Sequence, residues 1–275
     1  SRGLGDVYKR QEIGDAITGD PRIRKITFTG SMEVGDRICR NAGIKKVTME
    51  LGSNSPLIVM SDADIEKVAA ATVAGGFSNA GQVCISTQRV FADKRIYADF
   101  LDALVEPTET FITGNPVDEA IKMGPMIRES DAARVHEWIS EAVGQGARVV
   151  AGRDREGTLH APTVVADATP DMRISREELF GPAVAVSSFD NIDEAIEMAN
   201  DSRFGLSAGI FTQNVDWAMR FAREVESGNL HINSSPQWRA DLMPYGGLKD
   251  SGMGKEGPGY AVHEMTELKM VVFHL

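Results

Sequence analysis

Cys84 is the first residue whose surroundings suit covalent chemistry. It sits in Asn79-Ala-Gly-Gln-Val-Cys84-Ile-Ser86, where small, flexible residues lead into a point that presents a thiol. A thiolate so placed attacks a carbonyl, and backbone N–H groups of the turn stabilise the oxyanion that forms. A lone cysteine is more often a small buried hydrophobe, so this signal needs support. Cys39, inside the helical pattern Arg37-Ile-Cys-Arg40, reads as that packing case.

Glu50 is the second. In Val47-Thr-Met-Glu-Leu51 the period of two puts Val47, Met49 and Leu51 on one strand face and Thr48 and Glu50 on the other. A carboxylate among apolar neighbours, followed by Gly52, is open to desolvation and a raised pKa, which suits a general base acting on water. A solvated or ion-paired carboxylate fits this segment equally. Phe28-Thr-Gly-Ser31, ahead of a helix at Met32, is a strand-turn-helix junction whose N–H groups and positive dipole end suit a phosphate. An ordinary turn with a serine N-cap fits it as well.

The elements that must position these residues alternate between strand and helix, the pattern of an α/β domain with a mainly parallel sheet. Strands are expected at 25–29, 47–51, 56–60, 87–92, 147–151, 183–187, 208–211 and 229–233. Helices are expected at 32–41, from the Asp62–Asp64 cap to about Gly76, and at 97–112, 129–144 and 192–200. The last apolar run, Leu268–Phe273, reads as an edge strand that invites pairing with another subunit. Residues 1–11, which include a run resembling a translated sequencing adapter, read as an adapter-derived or disordered tail and stand outside fold reasoning.

At 275 residues, 42% hydrophobic and 25% charged, the chain has globular composition. A net charge of −11 disfavours nucleic acid, whose binding needs clustered Lys and Arg. The two cysteines make no CxxC, so no metal site or disulfide framework is expected, and a reducing cytoplasm fits. No apolar run approaches the roughly 20 residues of a membrane-spanning helix, so no membrane partner is expected.

The set Phe28-Thr-Gly-Ser31, Met49-Glu-Leu-Gly52, Gly81-Gln-Val-Cys84, Glu178-Leu-Phe-Gly-Pro182 and Met243-Pro-Tyr-Gly-Gly-Leu-Lys249 resembles the aldehyde dehydrogenase superfamily in motif, order and spacing. The resemblance runs from Glu12 to the end and implies that family's catalytic fold with a Rossmann-like sheet. On that reading 12–52 closes a dinucleotide-binding domain, 53–240 is the catalytic domain, and 241–275 holds a return segment and an oligomerisation strand. It further implies NAD or NADP, a small-molecule aldehyde substrate, and a homodimer or homotetramer when full length.

Residue by residue, the resemblance implies that Cys84 forms a thiohemiacetal, gives up hydride to the cofactor and retains a thioester. Glu50 would activate the water that hydrolyses it; family members that pass the acyl group to coenzyme A typically lack this glutamate. Gly30 and Ser31 would lie against the cofactor pyrophosphate, with Phe28 and Val34 nearby. Leu51 and Gly52 would pass close to the nicotinamide, Glu178 would hydrogen-bond its ribose, and Phe180 would pack beside the ring. Val83 and Ile85, flanking the cysteine, and Trp238, Arg239 and Tyr245 are candidates for the substrate pocket.

Two departures matter. Leu51-Gly-Ser-Asn-Ser-Pro56 stands where Leu-Gly-Gly-Lys-Ser-Pro is common, as in lactaldehyde-type and non-phosphorylating glyceraldehyde-phosphate branches. Val83 stands where enzymes acting on phosphorylated aldehydes often place arginine, leaving Arg89 and Arg239 as cations for an anionic substituent, with surface ion pairing the expected role of each alone. The family's dinucleotide domain, oxyanion-hole asparagine and ribose-binding lysine lie upstream of this sequence, so the 275-residue chain alone is expected to show negligible activity. Two rivals remain: a cofactor-independent cysteine hydrolase using a histidine at 136, 160, 231, 263 or 274, and a non-catalytic oligomerisation fragment.

Overall fold

A computed structural model describes residues 10–275, with side chains from Ile13 onward. Most of the tail expected at 1–11 lies outside the described residues; Arg10 and Gln11 open the backbone of the helix Arg10–Gly19. The described chain divides into two compact units. One combines the residues up to Gly52 with Arg239–Leu275, and the other is the continuous stretch Ser53–Trp238. Arg239 therefore groups with the return segment, where it has partners of its own.

In the smaller unit, the strand Lys25–Thr29 runs parallel to Lys46–Glu50, and the helix Met32–Ala42 crosses between them. Gly252–Met253 adds an antiparallel edge, with Gly252 opposite Glu50. Ile26, Ala42, Met49 and Leu51 form a small core, against which Phe28, Ile38 and Cys39 pack. Gly35 lets the helix come close, because a Cβ there would stand 2.6 Å from Leu51 Cδ2. The helix Pro258–Met265 follows, and residues 268–275 form no strand. The expected terminal strand is thus missing from the single chain: its composition suits a strand, but a strand exists only where another pairs with it. Leu268, Met270, Phe273 and Leu275 are exposed.

In the larger unit a seven-stranded sheet runs in the order Asn229–Ile232, Ser207–Phe211, Pro56–Val59, Arg89–Asp93, Ala183–Phe189, Thr163–Ala166, Arg148–Ala151. Only the last pairing is antiparallel. Both faces are covered, which explains the near-continuous apolar runs. Leu57, Val59, Val90 and Ala92 face the helices Ile65–Phe77, Tyr97–Glu109 and Glu129–Gly144. Ile58, Met60 and Phe91 point the other way, toward Ile192–Asn200 and Val215–Glu224. Each of these side chains larger than alanine, when buried, is worth roughly 1.5–3 kcal/mol.

Local signals start the helices where expected. Asp64 accepts the N–H of Lys67, and Asn191 accepts those of Asp193 and Glu194. The strand expected at 87–92 begins later, at Arg89, because the N–H of Thr87 is held by Gly75 O instead. The strand Thr163–Ala166 and the helices Val215–Glu224 and Pro258–Met265 were not among the expected elements. Among the described residues no helix is long and apolar enough to cross a membrane.

Candidate functional site

In the smaller unit Glu50 ends its strand with its side chain buried, only 3% exposed, and neither carboxylate oxygen has a hydrogen-bond partner. Burial pushes its pKa up from 4.5 to about 8; the negative charge of Glu256 adds to the rise, and Lys255 and Arg239 oppose it. Gly246 makes room for the carboxylate, since a Cβ there would lie 2.9 Å from Glu50 Oε1. Lys255 Nζ donates to Gly246 O at 2.8 Å, and Arg239 pairs with Glu256 at 2.9 Å. A base without a hydrogen-bonding partner is suited to take a proton from water. Glu256 and Lys255 escaped the sequence reading because they reach Glu50 only through the pairing of the Gly252–Met253 edge.

The strand Lys25–Thr29 leads into the helix Met32–Ala42 through Gly30 and Ser31, both exposed. Ser31 has extended backbone, but its hydroxyl does not cap the helix. A Cβ on Gly30 would run into the Phe28 ring at 2.4 Å, so the turn stays bare of side chain. Val34 is exposed on the first turn, whereas Leu51 is buried against Gly35 and the Gly52 carbonyl accepts the Ser251 hydroxyl. An uncapped, accessible N-terminal turn beside a glycine fits the pyrophosphate of a dinucleotide.

In the larger unit Cys84 is half-buried and outside any disulfide. The three residues Asn79, Ala80 and Gly81 all have positive φ, at 53°, 55° and 67°. Such backbone is costly for Asn and Ala, of order 1–3 kcal/mol each, and persists only where surroundings impose it. Here the amides of Asn79 and Gln82 each donate to the other's carbonyl, at 3.1 and 3.0 Å, and Gln82 Oε1 accepts the N–H of Ile127. Beyond the cysteine, the Ser86 hydroxyl donates to Gly75 O and Gly76 O. The thiol is therefore carried on a pinned segment, more rigid than the flexible lead-in expected. Val83 is half-buried and Ile85 is buried.

Glu178 and Phe180 lie on a limb without regular structure that follows the short helix Arg173–Arg176. Glu178 Oε1 accepts the N–H of Ser53 at 2.9 Å. Phe180 takes φ +47° and is 38% exposed, so it is not a core aromatic. Val83, Glu178 and Phe180 share the lining of a cavity of about 10 Å³ with Thr87, whose buried hydroxyl is without a hydrogen bond. The cysteine segment and the glutamate limb thus meet within one unit. Two buried amides that sequence reasoning missed hold the limb. Gln88 Nε2 donates to Ile174 O at 2.9 Å and Glu177 O at 2.7 Å, while its Oε1 accepts Leu179 N–H at 2.9 Å. Asn54 Nδ2 donates to Ser175 O and Arg176 O. Both amides sit among polar neighbours, Ser53 and Ser55 for Asn54 and Thr87 and Arg89 for Gln88, so the sequence offered no contrast to mark them.

Of the arginines, Arg89 corrects the expectation of surface ion pairing. It is buried, and its guanidinium donates to the carbonyls of Asn54, Met198 and Ala199. Burial lowers its pKa to about 10. It is a structural clamp, unlike Arg239, which is partly exposed and lies 4.0 Å from the Tyr245 ring centroid. Tyr245 itself is buried, and Trp238 is exposed with its ring edge-on to His231 at 5.9 Å. His136 and His160 pair with each other at 5.9 Å.

The chain was compared with known proteins. The sequence model of the aldehyde dehydrogenase family matches residues 7–271. A 3-sulfolactaldehyde dehydrogenase of Priestia aryabhattai is 48% identical over 264 residues, covering 96% of this chain and 55% of that protein. A lactaldehyde dehydrogenase of Methanococcus maripaludis is 41% identical over 272 residues, covering 99% and 57%. Among solved structures, aldehyde dehydrogenase 21 from Physcomitrella patens, in complex with its product succinate, superposes with a TM-score of 0.90 at 38% identity, covering 94% of this chain and 54% of that one. The glyceraldehyde-3-phosphate dehydrogenase of Methanocaldococcus jannaschii, complexed with NADP, gives 0.91 at 36% identity, covering 94% and 56%. The chain spans a little over half the length of these relatives. On the extent of these matches, and with its motifs in the family's order, the chain belongs to the aldehyde dehydrogenase family.

Proposed function

We propose that this chain carries the thiol and base of an NAD- or NADP-dependent enzyme that oxidises a short 2-hydroxyaldehyde, of the lactaldehyde or sulfolactaldehyde kind, to its carboxylic acid. The observation that carries the reading is Glu50, a buried carboxyl with no hydrogen bond and a pKa raised to about 8. The substrate class is supported by the names of the relatives and by the Ser53-Asn54 departure.

In this reading the Cys84 thiol loses its proton and its sulfur bonds to the aldehyde carbon, giving a thiohemiacetal. Nicotinamide, when bound, supplies the acceptor for the hydride, with its electron pair, that leaves this carbon. Gly30 and Ser31 would hold the pyrophosphate, and Glu178 and Phe180 the nicotinamide end. A thioester is left on Cys84. Glu50, as carboxylate, removes a proton from water; the water oxygen bonds to the thioester carbon, the C–S bond breaks, and the sulfur leaves as thiolate. Arg239 would meet an anionic substituent on the substrate.

The test uses the full-length gene product with lactaldehyde and 3-sulfolactaldehyde, following cofactor reduction with NAD and with NADP. Aldehyde-dependent reduction with release of the free acid is expected. No reduction with any small aldehyde, or ester cleavage without cofactor, rejects the reading. The 275-residue chain assayed alone is expected to reduce cofactor negligibly.

A further inference from the structure

The limb that carries Glu178 has neither helix nor strand to fix it, so its backbone polar groups need partners from elsewhere. The nearest of these partners come from one side chain. The Gln88 amide gives both its hydrogens to carbonyls, Ile174 O and Glu177 O, and takes the N–H of Leu179 on its oxygen. Glu177 O and Leu179 N–H are the backbone groups immediately before and after Glu178. Gln88 is 5% exposed, and these three hydrogen bonds use both of its N–H donors and one of the two lone pairs on its oxygen. Arg134 closes the next group along, donating to Leu179 O at 2.7 Å.

We propose that Gln88 is a positioning residue for the reaction: by clasping the peptide groups on both sides of Glu178 it sets the direction in which that carboxylate points. The inference rests on the reading of Glu178 as a cofactor contact. It adds a link from the nucleophile to the cofactor end, because Gln88 lies four residues beyond Cys84 on the same pinned segment. Removing the clasp leaves two carbonyls and one N–H without partners, and the limb relaxes toward whatever other partners it finds.

The test is made in the full-length enzyme with Gln88→Met and Gln88→Glu, each alone and with Glu178→Gln, with thermal melting to check the fold. Gln88→Met is expected to raise the cofactor KM roughly tenfold while changing the aldehyde KM less than about twofold. In the Glu178→Gln background the added change in cofactor KM is expected to be under about twofold, because both substitutions act through one contact. Gln88→Glu supplies the second readout: its protonated form keeps one donor and one acceptor, so its defect relative to wild type should shrink as pH falls and grow as pH rises. Should Gln88→Met not fold, that pH trend decides. A wild-type cofactor KM in the folded variants overturns the proposal, as does an effect of equal size with and without Glu178→Gln, or a pH-independent defect in Gln88→Glu. A wild-type enzyme that neither binds cofactor nor oxidises aldehyde overturns the functional reading itself, and is told apart by being seen before any substitution.

Discussion

Gly81 and Gly181 touch: a Cβ placed on Gly81 would stand 2.1 Å from the carbonyl oxygen of Gly181. The contact presses the segment leading to Cys84 against the limb that bears Glu178 and Phe180. With φ at +67°, Gly81 also holds backbone that an L side chain resists. Gly81→Ala is expected to destabilise the fold by about 2–4 kcal/mol and to disturb both segments at once. Denaturant unfolding measures the first effect, and loss of activity in the folded fraction the second. A variant with wild-type stability would show that the contact opens freely.

Cys84→Ser is expected to lower aldehyde oxidation by roughly a thousandfold or more while leaving thermal stability within about 1 kcal/mol of wild type. Alkylation with peptide mapping separates the two thiols. Cys39 packs beside the small core with its pKa raised by burial and by Asp36, and should react slowly. Faster labelling at Cys39 than at Cys84 would count against the nucleophile assignment.

Glu50 gives a pH prediction with a definite sign. Water activation needs the carboxylate, so thioester hydrolysis should rise as pH passes through about 8 and level off above it. Glu50→Gln should keep a first burst of cofactor reduction but slow steady turnover by ~100-fold or more. For stability the sign is reversed. The folded state holds this proton more tightly than the unfolded chain, so the contribution is fullest below the ordinary value of 4.5 and declines as pH rises toward about 8. Melting curves of Glu50→Gln against wild type should lack that decline.

Arg239 offers two readouts for one substitution. Its charge opposes the rise in the pKa of Glu50, so Arg239→Met should move the hydrolysis profile to higher pH. As the partly exposed cation beside Tyr245, it should also matter more for an anionic aldehyde. The KM for 3-sulfolactaldehyde is expected to rise roughly tenfold or more, against a change under about threefold for lactaldehyde. Equal losses for both aldehydes would remove Arg239 from the anion-recognition role.

Much of this was legible in residue pattern because it is local. The buried strands at 56–59 and 89–93 announced themselves by apolar runs, and the helix after Asp64 by its capping residue. Glu50 drew attention through its apolar flanks, but its burial comes from the downstream segment that brings Gly246 and Gly252 against it. What escaped notice depends on partners distant in sequence. Thr163–Ala166 was not expected, and it is held as a strand by Ala183–Phe189 on one side and Arg148–Ala151 on the other. Arg89 looked like a surface cation, yet three carbonyls from two separate segments, Asn54 and Met198–Ala199, solvate it. Leu268–Phe273 has strand-like composition but forms no strand within the single chain.

The parallel seven-stranded sheet lies wholly within one uninterrupted stretch, Ser53–Trp238, whereas the edge beside Glu50 is supplied by Gly252, about two hundred residues downstream. A ribosome releases the first stretch entire before that edge exists. The larger unit can therefore collapse during synthesis, while Glu50 stays open to solvent until the segment around Gly252 emerges to pair with its strand. Burial of that carboxyl is thus a late event in the life of the chain.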